Sequence, residues 1–186
     1  MTYSELSKEI SYALRHAPEE YGLTLDAQGW SPVEDLIIAL KKREKYSALT
    51  VQDITGMIQA SEKKRHELVG DRIRALYGHS TDEKIKKDAV CPPDVLYHGT
   101  AHEFLQKILE QGLISKDRQY VHLSQDMQTA ITVGKRRDAD PVVLLIDAVT
   151  AWRDGIKFYH GNEAIWLADD IPAKYITLMT SCALDV

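Results

Sequence analysis

The sequence is poor in cysteine and has no long apolar run. Its 186 residues include two cysteines, Cys91 and Cys182, which lie far apart and in no CxxC pattern. This spacing argues against a structural zinc site and predicts two reduced thiols in a cytoplasmic protein. No run approaches the roughly 18 apolar residues that a membrane helix needs, and the N-terminus lacks the apolar core of a signal peptide. We therefore expect no membrane association.

An excess of positive charge is also absent. The net charge is −5 and the pI is about 5.8, so the overall charge gives no case for binding nucleic acid. Any site for RNA or phosphate must therefore be a local patch. The apolar share of 44% is ordinary for a globular protein, and it is sufficient to form a core.

The clearest boundary is the polar stretch "HSTDEKIKKDAVCPPDV", residues 79–95. Its two consecutive prolines continue neither a helix nor a central strand. We predict one lobe over residues 1–90 and a second over residues 91–186.

The first lobe is predicted to hold three helices and a hairpin. Apolar residues recur at helical spacing in the first helix, which should stop before Pro18: Leu6, Ile10, Ala13 and Leu14. Ser31 is the predicted cap of the second helix, with Pro32 at its first position and Glu34 completing a capping box. Thr50 is the predicted cap of the third helix, and two short strands turn near Gly70. This order is typical of a winged-helix-like lobe.

The second lobe is predicted to be mostly β-structure. Six stretches have the composition of strands: "DVLYH", "QYVHLS", "PVVLLID", "IKFYH", "EAIWLA" and "KYITLMT". Two helices interrupt them, one ended by Gly112 and one capped by Ser124. "PVVLLID" is apolar on both faces and should be a central strand. The fold class is therefore α+β, with a split or mixed sheet in the second lobe.

Several polar residues stand where chemistry is possible, although each has a structural explanation too. Arg15 and His16 close the first helix, where cations favour the helix dipole, but together they could also hold a phosphate. Residues 63–65 ("KKR") are either a solvated charge run or a phosphate-binding edge. "YGHST", residues 77–81, is either a plain turn or a phosphate contact.

Two histidines end short apolar stretches of the second lobe. His98 in "LYHGT" precedes Gly99, which would let a ligand approach the backbone. His122 in "RQYVHLS" follows Arg118 closely, and either histidine could instead be a core residue. The chain contains no GxSxG, Walker, GxGxxG or HExxH motif.

Taken together, these stretches resemble the RNA 2′-phosphotransferase family, the NAD-dependent enzymes that remove a 2′-phosphate from RNA. The matching blocks follow the family's order: "LSKEISYALRH", "LDAQGWSPVEDLI", "SEKKRHEL", "RIRALYGHS", "LYHGTA", "RQYVHLS", "PVVLLID" and "EAIWLA". The resemblance runs from about Leu6 to Ile176. It implies a winged-helix-like first lobe and a second lobe related to ADP-ribosyltransferases.

The resemblance also implies roles for particular residues. The family's essential quartet falls on Arg15, His16, Arg65 and Arg118. The implied contacts to NAD are His98, Gly99, Thr100, His122, Leu123, Ser124 and Val143. Beside Arg15, His16 and Arg65, the implied contacts to RNA or phosphate are Lys64, Arg74, His79 and Ser80. The chain departs from the family pattern at His66, where phenylalanine is usual, and at Tyr77, where glutamine is usual.

The implied reaction consumes NAD and needs no metal. The RNA 2′-phosphate, as left at tRNA splice junctions, displaces nicotinamide to form RNA-2′-phospho-ADP-ribose. The 2″-hydroxyl then takes the phosphate, which leaves 2′-hydroxyl RNA and ADP-ribose 1″,2″-cyclic phosphate. Two alternatives stay open: a one-step transferase that caps terminal phosphates of nucleic acids, and a nucleic-acid-binding protein without activity. We expect a monomer.

Overall fold

The computed structural model describes residues 1–179, and these form two compact units. The first contains Met1–Lys87 together with Asp117–Gln119, and the second contains Asp88–Lys116 and the chain from Tyr120 onward. None of the helices in this part of the chain is long and apolar enough to cross a membrane. Cys91 is a free, exposed thiol, and Cys182 lies outside the described residues.

The first unit combines three α-helices with a small sheet. Its regular elements are α1 (Tyr3–Arg15), β1 (Trp30–Pro32), α2 (Val33–Lys41), α3 (Val51–Ala60), β2 (His66–Val69) and β3 (Arg72–Ala75). The strands are antiparallel in the order β1-β3-β2. The predicted hairpin is confirmed, and its turn uses Gly70 at φ +59°. The three helices pack their apolar faces into one core with Ile73 and Ala75 of β3.

Helix α1 forms as its sequence predicts. Thr2 and Glu5 make a capping box at its start, and the helix ends at Arg15, shortly before Pro18. The four predicted core positions are fully buried. Helix α3 likewise begins with a capping box between Thr50 and Asp53, which confirms its predicted cap.

The predicted cap of α2 is wrong. Ser31 lies in β1, its buried Oγ makes no hydrogen bond within residues 1–179, and Pro32 takes the cap position without a side-chain bond. The backbone N–H of Val33 instead donates to the carbonyl of Asp71. A tertiary contact with the hairpin therefore replaces the local capping box.

The second unit is built on one six-stranded sheet. Its regular elements are β4 (Val95–Thr100), α4 (His102–Gln111), β5 (Val121–Ser124), α5 (Met127–Gly134), β6 (Val142–Asp147), α6 (Ala148–Arg153), β7 (Phe158–His160), β8 (Ile165–Ala168) and β9 (Ile176–Leu178). The strand order is β7-β8-β5-β4-β6-β9. Each pairing in the described part of the sheet is antiparallel, so the prediction of a mixed sheet is wrong.

The error has a physical cause. Strands that alternate with helices are typical of parallel crossovers, but the chain after α4 turns back so that β5 runs against β4. All six predicted strands and the helix ended by Gly112 are present, and β6 is an interior strand. The predicted cap of α5 is also wrong, because Ser124 ends β5 and Asp126 accepts the hydrogen bond from Thr129 N. The short strand β1 and helix α6 were not predicted.

Candidate functional site

Arg15 and Arg65 lie side by side in the first unit. Nη2 of Arg15 donates to the backbone carbonyl of Arg65 at 3.2 Å, which fixes the end of α1 next to the start of β2. The guanidinium carbon of Arg15 lies 5.0 Å from the centroid of the Tyr77 ring. The Nε of Arg15 is buried and has no hydrogen-bond partner among residues 1–179.

Arg118 belongs to the same unit although it stands far along the chain. Its neighbour Gln119 anchors the segment, because its side-chain Nε2 donates to the carbonyls of Thr81 and Glu83 at 2.8 Å. The Gln119 Oε1 accepts a bond from the backbone N–H of Ile85 at 2.9 Å. This local pairing holds Asp117–Gln119 in the first unit, with Arg118 exposed between its neighbours.

The cluster is strongly positive. The pKa of Arg15 is lowered to about 10, chiefly by burial; Tyr77 opposes this shift, and the charges of Arg65 and Arg118 add to it. Arg15 makes no ion pair with a carboxylate in the described part of the chain. The positive charge of Arg15 is therefore stabilised by the ring of Tyr77 and the carbonyl of Arg65, and its guanidinium can still bind an anion.

His16 is positioned by the loop that follows the hairpin. Its Nδ1 lies 2.8 Å from the hydroxyl of Ser80. The backbone N–H of Ser80 donates to the Arg15 carbonyl at 2.9 Å and so satisfies a carbonyl in the last turn of α1. Burial, followed by the charges of Arg15 and Arg118, lowers the pKa of His16. The ring is therefore neutral at neutral pH.

Of the other predicted phosphate contacts, His79 is buried within reach of the charges of Arg15 and His16, whereas Arg74 and Lys64 have partners outside the cluster. His79 is 3% exposed, and burial lowers its pKa to about 3. Arg74 is paired with Glu67 and lies over the Trp30 ring at 4.3 Å. The Nζ of Lys64 reaches the Ile58 carbonyl at 3.4 Å, at the end of α3. Their roles toward RNA stay predictions.

A groove of about 830 Å³ opens from the cluster along the first unit. It runs between one face of α1 and the end of α3 with the residues after it. Arg15, His16 and Arg65 line it. Three of the four quartet residues thus meet one groove, and Arg118 acts electrostatically on two of those three.

In the second unit, His98 and His122 stand on adjacent strands, β4 and β5. Nδ1 of His98 lies 3.0 Å from the carbonyl of His122, and Nδ1 of His122 lies 3.0 Å from the carbonyl of Tyr120. Because a carbonyl only accepts, each Nδ1 carries a proton and donates it. In a neutral ring, each Nε2 would therefore be an acceptor, and the Nε2 of His122 is buried.

The remaining residues predicted to contact NAD follow the same strands. Gly99 pairs with Val143 of β6, and Thr100, Leu123, Ser124 and Val143 are all buried. Gly99 does not leave open space, since a Cβ there would lie 1.9 Å from the Ala130 carbonyl of α5. The lack of a side chain at Gly99 lets α5 pack against β4, which gives Gly99 a structural role, and its contact with a ligand through the backbone stays a prediction.

Two contributors to the site were missed at the level of sequence. Tyr77 was noted only as a departure from the family, and its ring supports Arg15. Gln119 was not singled out, and its amide holds the segment that carries Arg118. Nothing in local sequence marks either contact, because both join residues far apart in the chain. Within residues 1–179, no group of three His, Cys, Asp or Glu residues is placed to hold a metal ion.

Comparison with known proteins identifies similar chains over almost the whole length. The model of the family described as "RNA 2′-phosphotransferase, Tpt1 / KptA family" matches residues 2–170. A "Probable RNA 2′-phosphotransferase" of Acetivibrio thermocellus is 56% identical over 174 residues, which cover 94% of this chain and 96% of the relative. A protein of the same name from Bacillus thuringiensis subsp. konkukian is 51% identical over 176 residues, with 95% of each chain covered. The archaeal "Probable RNA 2′-phosphotransferase 1" of Archaeoglobus fulgidus is 42% identical over 172 residues, covering 92% of this chain and 79% of the relative.

Proposed function

Because this chain belongs to the RNA 2′-phosphotransferase, Tpt1 / KptA family, we propose that it is an NAD-dependent enzyme that removes an internal 2′-phosphate from RNA, as left at tRNA splice junctions. One observation carries the proposal. Arg15, His16 and Arg65 meet at one groove of the first unit, and Arg118 adds its charge to the same cluster. Such a set is suited to a dianionic phosphate.

The energetics of the cluster support binding of phosphate. Three guanidinium groups repel one another, and burial of Arg15 removes part of its hydration. A phosphate monoester would neutralise this repulsion and accept hydrogen bonds from the arginine forks. Arginine keeps its charge throughout, so it serves both the bound phosphate and the charge that develops during transfer.

The proposed reaction has two steps. In the first, an oxygen of the 2′-phosphate attacks the anomeric carbon of the nicotinamide ribose, and nicotinamide leaves with the bonding electron pair. In the second, the ribose 2″-hydroxyl attacks phosphorus of the RNA-2′-phospho-ADP-ribose, and the RNA 2′-oxygen leaves. The products are 2′-hydroxyl RNA, ADP-ribose 1″,2″-cyclic phosphate and nicotinamide. No step requires a metal, because the nucleophile is already anionic and nicotinamide leaves as a neutral molecule.

The residues of the first unit would carry the second step. Arg15 and Arg65 would hold the phosphate, and Arg118 would contact both the phosphate and the NAD. His16 is a candidate proton acceptor for the 2″-hydroxyl, because its lowered pKa keeps the ring neutral. The proton taken there would then be given to the departing RNA 2′-oxygen.

The second unit would bind NAD in an ADP-ribosyltransferase-like lobe, and the first unit would be winged-helix-like. The fixed tautomers of His98 and His122 fit this role, since the Nε2 of a neutral ring would be an acceptor for a ribose hydroxyl. Gly99, Thr100, Leu123, Ser124 and Val143 would complete the pocket. This unit orients the ribose, and alignment of a nucleophile with its target is worth several kcal/mol in such reactions.

The direct test follows the phosphate itself. Purified protein is incubated with an RNA that carries one radiolabelled internal 2′-phosphate, with and without NAD. We expect the label to leave the RNA only with NAD and to appear in ADP-ribose cyclic phosphate. Label retained on RNA that has gained ADP-ribose would indicate instead a one-step transferase of the kind that caps phosphates. RNA left unchanged at high enzyme concentration would contradict both activities.

A further inference from the structure

The groove extends well beyond the phosphate cluster. Its α1 side runs from Tyr3 to Arg15, about 18 Å at roughly 1.5 Å per helical residue. Beyond Arg15, His16 and Arg65, it is lined by one face of α1, with Tyr3, Ser4, Ser7 and Lys8, and by the end of α3 and the residues after it, with Glu62 and Lys63. One phosphate occupies only one end of a groove of this length.

The acidic residues of α1 and its groove-lining lysine lie on different sides of the helix. The helix carries two acids, and both are held outside the groove: Glu5 bonds Lys45 and Thr2, and Glu9 bonds Arg43 and Tyr21. The groove side presents Lys8, and Lys63 stands on the opposite wall. Among the described residues that line the groove, Glu62 is the one carboxylate. The groove is therefore positive although the chain as a whole is acidic.

The far end of the groove offers an aromatic surface. Tyr3 is 46% exposed, and its ring lies against Gly56 of α3, where a Cβ would come within 2.4 Å of the Tyr3 hydroxyl. The glycine thus lets the hydroxyl end of the tyrosine approach α3 closely. Between this ring and Arg15, the groove is lined by Ser4, which is exposed, and by Ser7, which is largely buried. A positive groove with hydroxyls and an exposed aromatic ring has the features of a track for a single nucleic-acid strand.

We propose that this groove binds the single-stranded RNA that flanks the 2′-phosphate. Lys8 and Lys63 contact its phosphodiesters from opposite walls, Ser4 donates to them, and an unpaired base stacks on Tyr3. The occupant rests on the proposed function, because it is the strand whose 2′-phosphate lies at the Arg15 end. The groove would then make affinity depend on RNA length on one side of the modified nucleotide.

The test measures binding of fluorescently labelled RNA by anisotropy, without NAD. A dinucleotide with one internal 2′-phosphate is compared with RNAs extended by several nucleotides on the 5′ or the 3′ side. We expect extension on one side to tighten binding at least about 10-fold, and the Lys8→Ala/Lys63→Ala variant to lose most of this gain. For this double variant, the slope of log K against the logarithm of the salt concentration should decrease in magnitude by about 1.4. Each phosphate contact on a single strand contributes roughly 0.7 to that slope.

The matched control is Lys41→Ala/Lys42→Ala, which removes the same charge from exposed positions at the end of α2. It should keep the length effect, and all variants should keep the melting temperature of the parent. Tyr3→Leu should weaken binding of the longer RNA about 10-fold, and Tyr3→Phe should not, because the stacking ring is retained.

The results separate this proposal from the proposed function. If label is transferred from short and long RNA with equal KM and equal affinity, the groove proposal is wrong and the activity stands. If the length effect and its loss in the lysine variant are seen but no phosphate is transferred, the groove proposal stands and the activity does not. Equal loss in the control variant would also overturn the groove proposal, since it would show a general effect of charge.

Discussion

At the scale of single residues, the environment of Arg15 explains the two positions at which the chain departs from its family. Tyr77 places its ring beneath the guanidinium. His66 is buried, its Nε2 lies 3.0 Å from the Ser11 hydroxyl on α1, and the charge of Arg15 helps to lower its pKa. Tyr77 therefore contacts Arg15 directly, whereas His66 bonds α1 and lies close enough to Arg15 to be affected by its charge.

The contribution of Tyr77 can be measured directly. A cation over an aromatic ring is worth about 0.5–2 kcal/mol, so Tyr77→Leu should lower kcat/KM for 2′-phosphorylated RNA about 2- to 30-fold. Tyr77→Phe keeps the ring and should stay close to the parent. The KM for NAD should not change in either variant, because the contact is with Arg15. Equal loss in both variants would show that the hydroxyl, and not the ring, supports Arg15.

At the scale of elements, the packing of α5 on β4 depends on one missing side chain. A Cβ on Gly99 would lie 1.9 Å from the Ala130 carbonyl, and backbone cannot yield as a flexible side chain does. The strand that carries His98 and the helix behind it are therefore fixed by a residue without chemistry of its own.

We expect Gly99→Ala to lower the free energy of unfolding by more than about 3 kcal/mol or to prevent folding. The matched control is Gly70→Ala in the β2–β3 turn, where φ is +59° and no atom lies within 4 Å of the new Cβ. Backbone strain alone should make that change cost about 1–2 kcal/mol. Thermal unfolding of both variants decides the matter, and equal melting temperatures would contradict the packing role of Gly99.

The helices and strands also show how much of the fold local sequence predicts. The helix patterns and the strand compositions predicted α1, α3 and all six strands of the second unit, because these depend on periodicity and on capping within a few residues. The predicted caps at Ser31 and Ser124 were wrong. The carbonyl of Asp71 in the β2–β3 hairpin accepts the hydrogen bond at the start of α2, and Asp126, which immediately precedes α5, caps that helix. Strand β5 is antiparallel to β4 because of the path that the chain takes after α4, and no local sequence pattern predicts that path.

At the scale of the whole molecule, the quartet comes from three separate stretches of sequence. All four residues could be named from the family pattern, but the position of Arg118 in the first unit depends on contacts of Gln119 with residues 81–85. Such contacts join distant parts of the chain, so periodicity and spacing do not predict them. Local sequence does not predict the groove along α1 either, because the groove forms where α1 and the end of α3 lie side by side.

The stability of the molecule should depend on pH through buried histidines. Burial lowers the pKa of His66 and of His79 from 6.5 to about 3. The unfolded chain therefore binds protons that the folded chain excludes, and the free energy of unfolding falls as the pH drops below about 6.5. Between pH 6.5 and 5 each histidine should account for about 2 kcal/mol.

Urea unfolding at pH 7, 6 and 5 measures this dependence. The pKa values of carboxyl groups such as Asp53 and Asp154 are lowered by hydrogen bonds, so their contribution is lost only at more acidic pH and changes little in this window. His66→Phe should remove about half of the fall. A stability that is flat from pH 7 to 5, or a variant as sensitive as the parent, would contradict the burial of neutral histidines.

The central claim of the proposed function is that Arg65 acts on the RNA phosphate and makes no contact with NAD. The most direct measurement compares Arg65→Ala with the parent and with Lys42→Ala, an exposed position outside the groove, in single-turnover removal of a labelled 2′-phosphate and in affinity for NAD. The account predicts that Arg65→Ala lowers the rate at least about 100-fold and leaves NAD affinity unchanged, while Lys42→Ala changes neither. An unaltered rate in Arg65→Ala, or a loss of NAD affinity that explains the slower rate, would contradict it.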